Sequence, residues 1–517
     1  MSLLRNTVTQ SGLTLTSRAL GFIRDILVAS RIGAGPVGDA FVTALMFPNL
    51  FRRVFAEGAF AQAFVPAYAR TLEAEGAEAA RNIAQQTLRG LLLATTILAI
   101  VAQLAMPLIM RVMHAGYAPD SESFRLAVLL TQLTMPYLVC MAISALFSGV
   151  LNAAGRFALS AGVPILLNIF LIIAVSFGET AAETSVYAAV AVSGSGLVQA
   201  LMLWIGVSRQ AIPLSLGWPQ WTPALKHIVV LAVPGTIAAS GTQINILVSQ
   251  ALASFEVGAK SWLFFADRLY QLPLGIVGIA VGVAILPRLA RLQRSGQSGS
   301  GHRLLDEGIG LAMALTLPAA IALMIAPSFL ISGLYERGQF TSHDATMAGM
   351  ALVHFGWGVP AFVLIKVLAP AFFAREDTVT PMRYSIASVI INTLLGAALF
   401  FWLQSTGRPG FPGLAIATSL AGWLNAAALF YGLLARGWYR PGITLAKRLL
   451  ATLFASLAMG LILRFMLISP DWFDPWVSIG GFAHVAIFVG IGMAAYFMLA
   501  VASGAIRIND LRPQTKQ

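Results

Sequence analysis

Long apolar stretches constrain the fold of this chain more than any other feature of its sequence. A transmembrane helix needs about 20 mainly apolar residues, and about fourteen such stretches follow one another with only loop-sized polar segments between them. Only 10% of the residues are charged and 58% are hydrophobic, which is far from the balance of soluble domains. The sequence therefore predicts an all-α polytopic membrane protein. The predicted spans are residues 11–33, 38–65, 88–110, 124–151, 157–177, 186–208, 226–253, 261–287, 308–333, 346–373, 382–403, 411–435, 449–468 and 478–503.

The distribution of basic residues predicts the orientation of these helices. If the N-terminus is cytoplasmic, about 20 Lys and Arg residues fall on the cytoplasmic side and about six on the other, which is the bias of the positive-inside rule. The formal net charge is +12, and the basic residues occur singly between apolar segments. This distribution is typical of contact with anionic lipid headgroups and not with nucleic acid. We expect a multi-pass membrane protein with both termini cytoplasmic and the first helix retained.

A faint internal repeat predicts the domain organisation. FVTALMFP at 41–48 leads to PAYAR at 66–70, and FFADRLYQLP at 264–273 leads to PRLAR at 287–291. The two spacings differ by about one helical turn. Chance also accounts for so short a match, but a true repeat would make two lobes of like orientation, each of six helices. We predict an N-lobe over 1–218, a C-lobe over 219–440, and an added helix pair with a cytoplasmic C-terminus over 441–517.

Arginines inside the apolar stretches are the residues most informative about function. Each central Arg costs about 2.5–3.5 kcal/mol on insertion scales, so several at once need water, partners or a ligand. Acids next to them in sequence, Asp25 and Asp267, are not expected to neutralise them, because neighbours on a helix point about 100° apart. The arginines are Arg18 and Arg24 in the first span, Arg52 and Arg53 in the second, and Arg268 in the eighth.

Two interpretations of these arginines are open. In the first, they snorkel toward the interface or pair between helices with Asp39, Glu57 or Asp267. In the second, they bind an anionic ligand. We favour the first interpretation for Arg53. The second interpretation is favoured for the other four, because the charge excess is all positive and is clustered in the first helices of the two predicted lobes. The planar guanidinium fork binds phosphate bidentately, which predicts a pyrophosphate or another polyanionic headgroup as ligand.

The second span is broken in pattern by Pro48 and Gly58. A proline removes a backbone hydrogen bond, so a kink beside Asn49 and Arg52 would line a cavity or act as a hinge, although a passively tolerated kink is equally compatible. Gly21 is a second hinge candidate.

An active site is not predicted. The six histidines have no metal-ligand spacing, the single cysteine Cys140 excludes an internal disulfide, and no nucleophile elbow or catalytic carboxylate pair is present. We expect no catalytic residue, no metal and no cofactor. The GxG at Gly194 and Gly196 is interpreted as helix packing.

Several motifs resemble one known family. They are SRALGFIRD (17–25), GAGPVGDAF (33–41), PNLFRRVFAEGAFAQAFVP (48–66), LNAAGRF (151–157), ADRLYQLPLGIVG (266–278) and KVLAPAFFAREDT (366–378). The chain resembles the MurJ (MviN) lipid II flippases of the multidrug/oligosaccharidyl-lipid/polysaccharide exporter superfamily, and the resemblance extends through all predicted spans.

The resemblance implies two six-helix lobes around a central cationic cavity, with helices 13 and 14 forming a groove for a polyprenyl tail. It implies a location in the bacterial inner membrane and alternating access that carries lipid II from the cytoplasmic to the periplasmic leaflet for cell wall synthesis. Position by position, Arg18, Arg24, Arg52 and Arg268 match essential cavity arginines and Asp39 matches an essential acid. Asn49 and the hinges at Gly21 and Pro48 are added from the residues themselves.

The chain departs from some relatives at Met46, where they carry Lys, and at Gln271, where they carry Glu. We hypothesise that a charge pair is replaced here by a neutral pair. A sodium site is not placed, although Asn245 and Asn392 are available, and proton, sodium or membrane potential are all open as the driving force. The expected partners are lipid II and membrane lipids, with the protein a monomer and an association with cell wall machinery open. The alternatives are an exporter of another lipid-linked oligosaccharide or amphiphile, an enzyme acting on polyprenyl phosphate, and a scaffold of the division machinery.

Overall fold

A computed structural model describes residues 3–56, 59–209, 215, 217–294, 298–468 and 481–505. These residues form nineteen α-helices and one π-helical turn. Among them, ten helical stretches are long and apolar enough to cross a membrane. The predicted C-terminal tail, and Glu57 and Gly58 of the second span, lie outside the described residues. The helices are α1 (Leu3–Ile32), α2 (Pro36–Phe51), α3 (Ala59–Ala74), α4 (Ala77–Leu104), α5 (Met106–Met113), α6 (Glu122–Thr134), α7 (Pro136–Ala153), α8 (Phe157–Phe177), α9 (Ala181–Ser208), α10 (Pro223–Ala253), α11 (Ala259–Arg294), α12 (Ser298–Ile325), α13 (Pro327–Tyr335), α14 (Ser342–Gly356), α15 (Val359–Phe373), α16 (Val379–Ser405), α17 (Phe411–Ala435), α18 (Ile443–Ile468) and α19 (Gly481–Ala502).

Within the described residues, every predicted span corresponds to helix. Besides the second span, four spans that were each predicted as one helix contain two in succession. In each of them a proline stands in the first turn of the second helix, where its missing N–H has no intrahelical partner to lose. The prolines are Pro107 of α5, Pro136 of α7, Pro327 of α13 and Pro360 of α15.

The second span is irregular in the way that its proline predicts. Pro48 lies inside α2 and leaves the Ala44 carbonyl without its usual donor. The Thr134 hydroxyl of α6 replaces that donor at 3.3 Å, sharing its proton with the Thr131 carbonyl at 3.0 Å. After α2 the backbone widens into a π-helical turn over Arg52–Ala56. Whether Pro48 acts as a hinge stays a prediction.

The described helices group into two compact units. Unit 1 comprises residues 1–261 with 337–340, and unit 2 comprises 262–336 with 341–517. The core of unit 1 is built on aromatic residues of α3, among them Phe64 and Tyr68, packed with α4, α7 and α9. The core of unit 2 joins α12, α15, α17 and α18 around Phe372 and Tyr439. The predicted lobe boundaries at 218 and 440 stay predictions.

Close helix packing explains one of the glycine motifs. A Cβ added at Gly196 of α9 would lie 2.7 Å from the Tyr137 ring and 3.0 Å from Cys140, both on α7. The interpretation as helix packing is therefore confirmed for Gly196, whereas a Cβ at Gly194 would make only ordinary contact with the Phe170 ring at 3.8 Å.

Candidate functional site

Arg24 of α1 is held by two acceptors inside unit 1. Its Nε and Nη2 donate to Asp25 Oδ1 at 3.0 and 2.7 Å, and its Nη1 donates to Asn168 Oδ1 of α8 at 2.9 Å. The expectation that Asp25 does not neutralise Arg24 is wrong, because the long arginine side chain turns back to reach the adjacent carboxylate. Both side chains are largely buried, with 14% and 7% exposed.

Asn168, on the neighbouring helix α8, holds Arg24 and α1 in this arrangement. Its Nδ2 donates to the Ser17 carbonyl of α1 at 2.9 Å. Its side chain also lies 3.7 Å from the position that a Cβ of Gly21 would occupy. Ser17, Gly21 and Arg24 are spaced four and three apart and share one face of α1. Asn168 was not predicted as a site residue from the sequence, where its signal is a lone amide in the apolar stretch of α8.

The donor inventory of Arg24 shows what it has left for a ligand. A guanidinium carries five N–H groups, and the contacts described above use the Nε proton, one on Nη2 and one on Nη1. One N–H therefore remains on each terminal nitrogen. Two such protons form the fork that binds a phosphate or carboxylate through two oxygens.

Asp39 lies fully buried in the first turn of α2. Its Oδ2 accepts from the Tyr117 hydroxyl and the Gly258 amide, both at 2.8 Å, and its Oδ1 accepts from the amide and hydroxyl of Ser261 at 3.0 and 2.8 Å. Burial raises the pKa of Tyr117, and the Asp39 charge raises it further, so the phenol keeps the proton that it donates. The acid fastens the start of α11 to α2.

Lys260, the second residue of α11, is also fully buried in unit 1. Its Nζ lies 2.8 Å from Thr43 Oγ1, 2.6 Å from the Met113 carbonyl and 2.9 Å from His114 Nδ1. Burial, and then the Lys260 charge, lower the pKa of His114 to about 2, so this imidazole is neutral. Lys260 was not predicted as a site residue from the sequence, because it precedes the predicted span 261–287 and has the character of a loop residue there.

Arg52 lies within electrostatic range of Tyr137 on α7, as Arg24 does, whereas no described contact joins Arg18, Arg53 or Asn49 to Arg24. Arg18 is exposed on α1, and Arg52 is half-buried at the start of the π-helical turn. Arg53 is exposed, with Nη1 at 3.4 Å from Gln243 Oε1 of α10. Asn49 donates its amide to the Leu45 carbonyl of its own helix at 2.9 Å. The ligand-binding roles of Arg18, Arg52 and Asn49 stay predictions.

In unit 2, Arg268 is half-buried on α11 with its guanidinium carbon 4.6 Å from the centre of the Phe264 ring, an arrangement that stabilises a cation. Gln271, on the same face one turn later, donates its amide to the Asp267 carboxylate. The neutral residue at this departure from some relatives therefore has a partner within its own helix.

An apolar cavity of 780 Å³ also lies in unit 2. Its walls come from α12, α15, α17 and α18, with Met313, Leu364, Phe430 and Leu450 among the lining side chains. The resemblance implies an apolar groove on helices 13 and 14. The cavity is lined in part by the thirteenth predicted span, α18. The helix α19 packs against α13 and α18 and is not among the lining elements described.

A metal site is not seen in the described part of the chain, where no group of three or more His, Cys, Asp or Glu side chains could hold an ion.

Comparison with known proteins gives the family. A family model described as "Lipid II flippase MurJ" matches residues 28–477. The chain is 40% identical to a Rhizobium tropici protein named "Probable lipid II flippase MurJ", over 100% of this chain and 97% of that protein.

Solved structures give the same fold. A structure titled "Lipid II flippase MurJ, inward closed conformation" superposes with a TM-score of 0.77 at 24% identity, over 96% of this chain and 98% of the other. An inward-facing multidrug transporter of the MATE family and MOP superfamily superposes with a TM-score of 0.66 at 16% identity, over 83% and 98%. Sequence and fold agree, and this multi-pass, all-helical chain belongs to the MurJ lipid II flippase family, whose members are transporters and not enzymes.

Proposed function

We propose that this protein flips lipid II, the lipid-linked precursor of peptidoglycan, from the cytoplasmic to the periplasmic leaflet of the bacterial inner membrane by alternating access. The observation that carries the proposal is the geometry of Arg24, which Asp25 and Asn168 hold while one N–H on each terminal nitrogen remains for an anion. A diphosphate offers the oxygens that such a fork binds.

The arginines bind the headgroup, and none of them breaks or forms a covalent bond. Arg24 supplies the oriented fork, and Arg18, Arg52 and Arg268 supply further positive charge to the sugar diphosphate. Arginine suits this role because it stays charged and its planar group is weakly hydrated.

The hydrocarbon tail stays in an apolar environment throughout. Exposing it to water would cost about 0.8 kcal/mol per CH₂, so only the headgroup crosses the membrane. The apolar cavity of unit 2 is large enough to accept part of an isoprenoid chain. Gly21 and Pro48 are the proposed hinges, both termini are cytoplasmic, and the protein acts as a monomer.

The test is complementation of cells depleted of their own flippase, combined with a leaflet assay that uses a periplasmic probe for lipid II. Wild type should restore growth and outer-leaflet lipid II, and Arg24→Ala should insert normally but fail. Arg70→Ala is the matched control, because Arg70 is an exposed arginine of α3 that donates only to the Pro66 carbonyl of its own helix among the described contacts.

Two results would contradict the proposal in different ways. If inserted wild type leaves lipid II in the inner leaflet, the cargo is another amphiphile. If Arg24→Ala flips lipid II as well as Arg70→Ala does, the headgroup does not bind at Arg24.

A further inference from the structure

Five side chains of unit 1, four of them buried and Tyr117 half-buried, form a closed ring, which we call the Lys260 ring. Lys260 contacts His114, and the His114 ring stacks on Tyr117 with the ring centres 4.1 Å apart and the planes 9° apart. Tyr117 donates to Asp39. Thr43 closes the ring through the backbone of Asp39. Its hydroxyl lies 2.8 Å from Lys260 Nζ and donates to the backbone carbonyl of Asp39 at 2.7 Å.

The hydrogen-bond partners fix the proton on His114. The Ser123 hydroxyl has one proton, which it donates to the Pro36 carbonyl at 2.8 Å. Ser123 Oγ must therefore accept from His114 Nε2, which lies 3.2 Å away. Nε2 carries the imidazole proton, and Nδ1 has a free lone pair that faces Lys260.

The same counting makes Lys260 a full ammonium. The Thr43 hydroxyl has given its proton to the Asp39 carbonyl, so it accepts from Lys260. The Met113 carbonyl and His114 Nδ1 are acceptors too. Three acceptors match the three N–H groups of an ammonium, whereas a neutral amine would turn its lone pair toward one of them.

Asp39 is a carboxylate by the same argument. Its two oxygens accept from four donors, which are the Tyr117 hydroxyl, the Gly258 amide, and the amide and hydroxyl of Ser261. A protonated acid would bring a fifth proton into this set. The ring thus contains one buried cation, Lys260, and one buried anion, Asp39. Each charge needs the other, because an uncompensated buried charge is costly.

We propose that Lys260 is the counter-charge and positioning residue of Asp39, acting through Thr43 and through the His114 and Tyr117 stack. Lys260 sets the position of α2 relative to the start of α11, because it joins the first turn of α11 to Thr43 of α2. Only the transport assay of this proposal rests on the flippase function, and a stability assay tests it independently.

The experiment is a double-mutant cycle of Lys260→Met, which keeps the chain length and removes the charge, and Asp39→Asn. Lys260→Met should lower flipping per inserted molecule at least tenfold and lower the melting temperature. The double variant should flip within twofold of Asp39→Asn alone, because both changes break the same ring, and should melt higher than the sum of the two single losses predicts.

The matched control is Lys447→Met, because Lys447 is an exposed lysine of α18. It should leave flipping unchanged alone and in the Asp39→Asn background. If Lys260→Met flips at the wild-type rate, or if the losses of the two ring variants multiply, Lys260 does not act through Asp39. If Lys260→Met fails to insert, Thr43→Val removes the hydroxyl that joins the two residues, and additivity with Asp39→Asn then overturns the proposal.

The two proposals fail in different ways. A wild-type protein that does not flip lipid II contradicts the proposed function, while the melting temperatures of the same cycle still test the ring. Additive melting losses contradict the ring whatever the cargo is.

Discussion

Asn168→Leu should disable Arg24 without altering the arginine itself. The change removes the acceptor that orients Nη1 and the donor to the Ser17 carbonyl, while a side chain of similar size remains against Gly21. A hydrogen bond to a charged group contributes about 1.5–3 kcal/mol, and about 1.4 kcal/mol corresponds to a factor of ten. If the orientation of Arg24 limits headgroup binding, flipping should fall about 10- to 100-fold.

The assay is the rate at which lipid II becomes accessible outside, measured at matched levels of inserted protein. Asn152→Leu is the control, because Asn152 is a half-buried amide of α7 that accepts from Ser160 at 2.7 Å, away from Arg24. In an Arg24→Ala background, Asn168→Leu should lower flipping less than twofold further, since the group that it orients is absent. A rate equal to that of Asn152→Leu, or an undiminished loss in the Arg24→Ala background, would refute the reasoning.

Two further predictions concern titration and the departures from some relatives. Below pH 6.5 the unfolded chain protonates His114 while the folded protein, in which burial lowers its pKa to about 2, does not. The free energy of unfolding should therefore fall by about 2 kcal/mol between pH 7.5 and pH 5. Thermal melts should show a smaller loss for His114→Asn than for wild type, and an equal loss would contradict this assignment. Separately, Gln271→Glu places a second carboxylate beside Asp267, so alone it should slow flipping more than together with Met46→Lys, and equal rates would exclude the charge-pair hypothesis.

Hydropathy predicted the spans well where a polar residue or a turn ends each apolar run. The bounds of α8 and α17 coincide with the predicted 157–177 and 411–435. The predicted bounds are wrong where a helix continues past its apolar part. α1 begins at Leu3 although the predicted span begins at 11, because polar residues such as Gln10 extend a helix into water without breaking it.

The intramembrane arginines were found from the sequence because an isolated charge in an apolar stretch is costly. Their partners were not found, because partnership depends on tertiary packing. Asn168 is 144 positions from Arg24. Nothing in the sequence relates a lone amide of α8 to the face of α1 that carries Arg24. The role of Asp25 was predicted wrongly, because the expected position of the Arg24 guanidinium was taken from the backbone direction alone. The arginine side chain has four rotatable bonds and can turn back to the adjacent carboxylate.

Counting donors distinguishes Lys260 from Arg24 in a way that charge alone does not. Lys260 has acceptors for all three of its protons, so a ligand would have to displace one of them, and its role is to hold the structure. Arg24 uses three of five N–H groups among the described contacts, and its two remaining protons lie on different terminal nitrogens. A cation that is fixed in orientation but left with two donors is suited to bind an anion and release it again. A cation with every donor engaged is suited to neither step.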